Sequence, residues 1–289
     1  MQGLNIRLDA IVNDTSATLL SRAYVDPSTR LAMVLGTGFN AAIYLPIYSL
    51  HPSKFSSRIM PNASEISHVL VNTELGMFGK EAFRKTRWDT ILNRNHIMPD
   101  YQPLEYLAAG PYFSELIRLI LVEATGLGLF GGAMPVSLST HYTFDPRLLA
   151  TIDTDASHAL VYSRTIFQEH HPSATPLTMS DAYFIQQVVR SVVRRSSAFV
   201  SVAIHALASL LDDMEKVFQI ASNGLDHLSI GCDGSIINKY PAYMIRCQEL
   251  IDQMIELEGP ERQRVVLERT TDSAVCGAGV AVAMAAAHS

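Results

Sequence analysis

Residues Leu4–Val12 alternate apolar Leu4, Ile6 and Leu8 with polar Asn5, Arg7 and Asp9, then turn wholly apolar at Ala10–Val12. That is the pattern of a strand entering a core. The polar turn Asn13-Asp14-Thr15 follows, and Ala17, Leu19, Leu20 and Ala23 recur at helical spacing, which predicts a capped short helix. A polar turn at the carboxyl end of a strand lies where open α/β sheets bind ligands. Leu31–Leu35 predicts a second strand, running through Gly36-Thr37-Gly38 into a return strand, Ala41–Leu45, a hairpin with a glycine-lined bend. Val69–Val71 predicts a further strand ending at Asn72-Thr73-Glu74. Gln102–Val122 carries apolar residues on one helical face, contains Glu115, and stops at Gly126 and Gly128. Met179–Lys216 is the longest helical pattern, nearly continuously apolar from Ala198 to Leu211, and predicts a central core helix. The remainder predicts a strand at His227–Gly231, a turn at Asp233-Gly234-Ser235, a helix at Tyr243–Leu257, a strand at Arg264–Leu267 and a small-residue helix at Gly277–Ala287. Hairpin strands followed by long helices favour one α/β lobe.

Composition narrows the function. The 289 residues include 22 Lys+Arg and 28 Asp+Glu, and 48% are hydrophobic; this is a globular composition, neither disordered nor fibrous. No Lys/Arg-rich run offers the clustered positive charge that a nucleic-acid partner needs. The wholly apolar or small-residue stretches, Leu31–Ala42 and Val275–Ala287, are too short to span a bilayer, so no membrane partner is expected. Met1-Gln2-Gly3-Leu4 has no charged segment leading into an apolar run, so no secretory signal is visible. Cys232, Cys247 and Cys276 are widely spaced, as reduced thiols of a cytoplasmic protein would be. His141, His170 and His171 lack the spacing of metal ligands.

Acceptor-rich positions recur at strand ends and in one helix: Asn13-Asp14, Asn40, Asn72-Thr73-Glu74 and Glu115. Amides and carboxylates converging on one cleft suit a polyhydroxylated ligand, because each hydroxyl both donates and accepts. Gly36 and Gly38 flanking Thr37 let the backbone approach an anion closely. Each residue also has a plainer use: Asp14 as a helix cap, Thr37 as part of a tight bend, Glu115 as the partner of Arg118 at i+3.

Taken in order, Val12-Asn13-Asp14-Thr15, Leu35-Gly36-Thr37-Gly38 with Asn40-Ala41, and Val71-Asn72-Thr73-Glu74 with Phe78-Gly79 resemble the hexokinase family of ATP-dependent sugar kinases. The resemblance extends through Gly110–Leu119, Gly231-Cys232-Asp233-Gly234-Ser235 with Pro241, and Gly277-Ala278-Gly279. It implies the large lobe of the actin-like, ribonuclease-H-like ATPase fold: a mixed sheet led by Leu4–Val12, Leu31–Leu45 and Val69–Val71, covered by long helices. By the same resemblance Asp14 is the catalytic base, and Asn13, Asn40, Glu74 and Glu115 orient the sugar. Gly36, Thr37 and Gly38 face the ATP phosphates, and Gly231, Gly234 and Ser235 line the nucleoside. Magnesium would be held chiefly by the nucleotide phosphates and water. The implied reaction is phosphorylation of a hexose or hexosamine at its 6-hydroxyl.

The chain departs from the family pattern in places. Ala17 stands at a usual glycine, Phe39 beside Asn40 replaces a small or hydroxyl residue, and Leu75 and Met77 follow Glu74 in place of Trp and Ala. The run Thr271–Cys276 is disturbed relative to the family's Asp-Gly-Ser-Gly. Leu50–Lys54 and Thr86–Asp89 look closest to the divergent fungal branch that includes N-acetylglucosamine kinases. Most of the small lobe, with its glycine-rich phosphate loop, has no counterpart here. Residues 1–25 resemble the end of that lobe, and residues 26–289 the large lobe. Alternatives are a non-catalytic sugar-sensing or regulatory protein, and a fragment of a longer product in which Met1 is internal.

Overall fold

The computed structural model describes residues 8–55, 67–173, 175–220 and 226–287. Five strands form one sheet in the order β3-β2-β1-β4-β5: β1 Thr29–Leu35, β2 Phe39–Pro46, β3 His68–Asn72, β4 His227–Asp233 and β5 Arg264–Arg269. The β1–β2 hairpin is antiparallel, Leu31 opposite Ile43 and Leu35 opposite Phe39, and β3 continues antiparallel beside β2. On the other side β4 runs parallel to β1, and β5 parallel to β4. This is the mixed sheet of the actin-like, ribonuclease-H-like fold implied above.

The central strands are apolar at nearly every position because both faces are covered. Leu31, Met33, Leu35, Ala41 and Ile43 enter the main core, whereas Ala32 and Ala42 meet Leu19 on the opposite face. Leu19 belongs to helix α1, Asp14–Val25, which crosses that face beside the last helix, α10, Ser273–Ala287. The two helices touch closely enough that a Cβ on Gly277 would lie 1.9 Å from the Ala17 carbonyl oxygen.

The main core is covered by the helices that lie between β3 and β4 and by the two helices between β4 and β5: α2 Arg87–Asn95, α3 Pro103–Ala108, α4 Gly110–Thr125, α5 Pro146–Thr154, α6 Val161–His170, α7 Met179–Val217, α8 Ser235–Lys239 and α9 Pro241–Glu258. Helix α7 runs unbroken for 39 residues from a capping box of Thr178 and Asp181. By length and composition α7 could cross a membrane. In this fold its seam of Ile185, Val189, Val193, Val200 and Ile204 is buried in the main core.

Two elements differ from the sequence expectation. The strand expected at Leu4–Val12 falls partly outside the described residues; from Leu8 to Val12 there is no strand, and Leu8 and Ile11 are exposed. Alternation supplies an apolar face, but a strand also needs a partner for its backbone N–H and C=O groups, and no described strand pairs with these residues. The helix expected over Gln102–Val122 is broken at Ala109, whose ψ is 156°. There Gly110 donates its N–H to the Gly36 carbonyl at 3.0 Å, and Ser196 Oγ donates to the Ala108 carbonyl freed by the break. The break presses Gly110 against the β1–β2 bend.

Candidate active site

Two cavities open at the carboxyl ends of β1 and β4, and both are lined by Gly36, Thr37 and Ser235. The first, about 430 Å³, is also lined by Asp14, Asn40 and Glu105. The second, about 500 Å³, is also lined by Tyr142, Phe144, Arg147, Lys239 and Tyr240.

Asp14 is placed by helix capping. The Asn13 side-chain carbonyl accepts from Thr15 N at 2.9 Å and Ser16 N at 3.4 Å, satisfying orphan donors of the first turn. Asp14 is then the first helical residue and is exposed; the hydrogen bonds from Thr15 fall on its Oδ1. Asn13 is thus first of all the cap of α1.

Asn40 sits on β2, two residues past the bend. Its Nδ2 donates to Asn72 Oδ1 at 2.7 Å, and Asn72 Nδ2 donates to Glu74 Oε1 at 2.7 Å. Its own Oδ1 accepts from Leu75 N at 3.1 Å. Glu74 itself is held in a left-handed conformation (φ 50°) just after β3, where Thr73 fixes the chain to the Ala41 carbonyl through its N–H and its hydroxyl. Asn40 lines the first cavity, whereas Asn72, Glu74 and Asn13 line neither; the Asn40–Asn72–Glu74 relay links Glu74 to the cavity through two amides.

Glu105, on α3, is the residue that sequence reasoning missed. Its Oε2 accepts the Phe39 N–H at 2.9 Å, and Tyr112 OH lies 3.5 Å from Oε1. Burial pushes its carboxyl above the ordinary glutamate value, and the nearby charge of Glu74 adds to the rise. Space is reserved for it: a Cβ on Gly38 would lie 2.7 Å from Glu105 Oε2, and one on Gly76 3.2 Å from Glu105 Cβ. The available signal was a lone carboxylate in the apolar run Leu104–Ala109.

Glu115 is not in the cleft. It is 2% exposed, and Arg118 donates to both its oxygens, at 2.8 and 2.7 Å. Tyr142 N donates to it at 2.7 Å, and His141 Nδ1 lies 2.8 Å away. Burial opposes its charge, but Arg118, Tyr142 and His141 outweigh burial and hold its carboxyl below the usual value. The i+3 ion pair with Arg118 is what its position in α4 produces.

Of the residues expected at the nucleotide, Gly36, Thr37, Gly38, Gly234 and Ser235 line the cavities, whereas Gly231 lines neither. It lies inside β4, between Ala32 and Glu268, where a Cβ would meet Arg22 Cβ at 3.2 Å. The absent side chain makes room for α1. Gly234, at φ 110°, is fixed by closeness, since a Cβ there would lie 2.3 Å from the Leu35 carbonyl oxygen. Asp233 beside it accepts from Gly234 N and Asn238 Nδ2 and pairs with Ser273, which also meets Thr18 at 2.8 Å. The disturbed run, which carries the chain into α10, is thereby tied to the same strand end.

A mixed sheet with a glycine-lined hairpin bend, a carboxylate at the first turn of a helix, and two cavities meeting over that bend are arranged in the actin-like ATPase fold. The hexokinase family profile matches residues 30–284, and the chain belongs to the hexokinase family. It is 26% identical to hexokinase of Emericella nidulans over 99% of this chain and 55% of that protein. It is 30% identical to human hexokinase-3 over 84% of this chain and 25% of that protein. The solved hexokinase of Schistosoma mansoni complexed with glucose superposes with a TM-score of 0.78 at 24% identity, covering 95% of this chain and 57% of that one. The chain thus spans about half the length of the fungal relative, and a quarter of the human one.

Proposed function

We propose that this lobe binds a hexose or hexosamine beside ATP and transfers the terminal phosphoryl group to the sugar's 6-hydroxyl. The observation that carries the reading is the meeting of the two cavities at Gly36, Thr37 and Ser235. A hydroxyl held in the cavity of Asp14, Asn40 and Glu105 then faces a phosphate lying over the bend.

Asp14 takes the proton of the attacking hydroxyl. Phosphoryl transfer asks chiefly for positioning and for removal of one proton, and an exposed carboxylate at a helix start suits that task. Asn40, Glu74 and Glu105 orient the sugar hydroxyls, and Asn13 adds its side-chain amide while its carbonyl caps α1. This is the alignment on which the rate depends. Glu105 replaces Glu115 in this set.

The residues present fit a nucleoside triphosphate. Gly36 has no Cβ where one would lie 3.0 Å from Ser235 N and Oγ, leaving backbone N–H groups and two hydroxyls for phosphate oxygens. ATP supplies the phosphoryl group, and magnesium rides on its phosphates and water. Glucose, with which the Schistosoma hexokinase is complexed, is the first sugar to try.

The test is ADP release by the purified chain with Mg-ATP and glucose, mannose, fructose or N-acetylglucosamine, beside Glu105→Gln. The reading expects turnover with at least one sugar and a KM for that sugar raised tenfold or more by the substitution. Sugar binding without any ADP release would instead favour a sugar-sensing protein.

A further inference from the structure

The loop from Thr140 to Asp145 forms one wall of the 500 Å³ cavity through Tyr142 and Phe144. Its far end is fixed by packing: Phe144 lies on His171 at 4.5 Å between ring centroids and near Phe167 at 6.0 Å, and Asp145 caps α5. At its middle Tyr142 makes no such ring contact among the described residues. Tyr142 is 47% exposed and adopts φ 59°, a left-handed conformation in which Cβ crowds the backbone.

What opposes that crowding is the buried carboxylate of Glu115. Its Oε2 accepts the Tyr142 N–H at 2.7 Å, and its Oε1 lies 2.8 Å from His141 Nδ1. Arg118 holds both carboxylate oxygens and donates a third bond to the Leu138 carbonyl at 2.6 Å, so the turn before the loop is tied to the same point. A hydrogen bond to a buried charge is among the stronger ones. It is placed where a tyrosine otherwise relaxes out of the left-handed region and carries its ring with it.

We infer that Glu115 is a positioning residue for the nucleotide side of the cleft: through the Tyr142 N–H it holds that tyrosine's ring as a wall against the aromatic base of the nucleoside triphosphate. The inference rests on the proposal that this cavity takes the nucleotide. With the phosphates over Thr37 and Ser235, which line both cavities, the base is assigned to the part of the second cavity that Tyr142 walls. A residue expected in the sugar site thereby acts on the other substrate.

Calorimetry with ATP, with inorganic tripolyphosphate and with glucose tests this on the full chain. Glu115→Gln is expected to weaken ATP binding tenfold or more, leaving tripolyphosphate and glucose within twofold of the parent. Tyr142→Phe keeps ATP affinity. Tyr142→Gly, which accepts φ 59° without strain but lacks the ring, loses it. In the Tyr142→Gly background Glu115→Gln then adds less than a further twofold, because its effect runs through that ring. ATP affinity unchanged in Tyr142→Gly overturns the inference even if Glu115→Gln fails to fold. Equal weakening of ATP and glucose, or additive effects of the two substitutions, overturns it as well. A parent that binds glucose but no ATP overturns the nucleotide assignment of the cavity itself.

Discussion

Replacing Gly277 by alanine perturbs the contact that seats the helix bearing Asp14. The new methyl carbon would lie 1.9 Å from Ala17 O, 2.4 Å from Ala17 C and 2.6 Å from Ala17 Cα. These are backbone atoms, so no side chain can rotate away. Restoring ordinary contact, at about 3.5 Å, requires α1 and α10 to part by roughly 1.5 Å. That separation breaks the buried Thr18–Ser273 hydrogen bond and loosens Leu19 from Ala32 and Ala42. Overpacking costs about 1–3 kcal/mol and the lost hydrogen bond about 1 kcal/mol, together about 2–4 kcal/mol. In a chain of this size that lowers Tm by roughly 3–7 °C. Urea unfolding followed by circular dichroism measures it. Gly279→Ala is the control: on the same helix a Cβ at Gly279 meets nothing within 4 Å, so the substitution is neutral or adds up to about 1 kcal/mol of helix propensity. Gly277→Ala within about 0.5 kcal/mol of the parent, the range of a bland surface change, refutes the packing argument.

Other consequences follow from buried charges. Arg195 donates to both oxygens of Asp89 at 2.7 and 2.8 Å, and Asp89 is 5% exposed; Arg195→Met strands that carboxylate and costs about 3–5 kcal/mol in urea unfolding, a loss under 1 kcal/mol contradicting it. His171 is 1% exposed, and its Nε2 has no partner among the described residues. Burial first, then the charge of His170, depresses its ring from 6.5 to about 4. The folded protein therefore binds fewer protons than the unfolded chain between those values. The contribution of His171 is whole above pH 6.5 and is lost as pH falls towards 4, amounting to about 3 kcal/mol at most. His171→Leu should flatten the acid side of the stability profile, and an unchanged profile would contradict the assignment.

The β1–β2 hairpin was legible because both strands are buried on both faces and the glycine pair marks the bend; the spacing of Leu31–Leu35 and Ala41–Leu45 needed no tertiary knowledge. Helix α7 was legible for the same reason, its apolar positions recurring far longer than a strand allows. What the pattern hid was decided by contacts distant in sequence. Glu105 and Glu115 lie ten residues apart in one apolar segment, and the break at Ala109 determines which of them faces the cleft. That break depends on the Gly110–Gly36 hydrogen bond, which no local periodicity encodes. Gly231 was drawn into the nucleotide site by its neighbours Asp233-Gly234-Ser235, but β4 continues through Asp233, so only the residues after the strand reach the cavity. The alternation at Leu8–Val12 has no described partner strand to pair with.

The central claim is that Asp14 serves proton removal at a sugar site rather than merely starting α1. Sugar-dependent ADP release and sugar affinity, measured together on the parent and on Asp14→Asn, test it most directly. The account predicts turnover reduced at least about 100-fold, as removal of a general base entails, with sugar affinity within a few-fold of the parent because Asn40, Glu74 and Glu105 still hold the hydroxyls. Turnover in Asp14→Asn equal to that of the parent would contradict it.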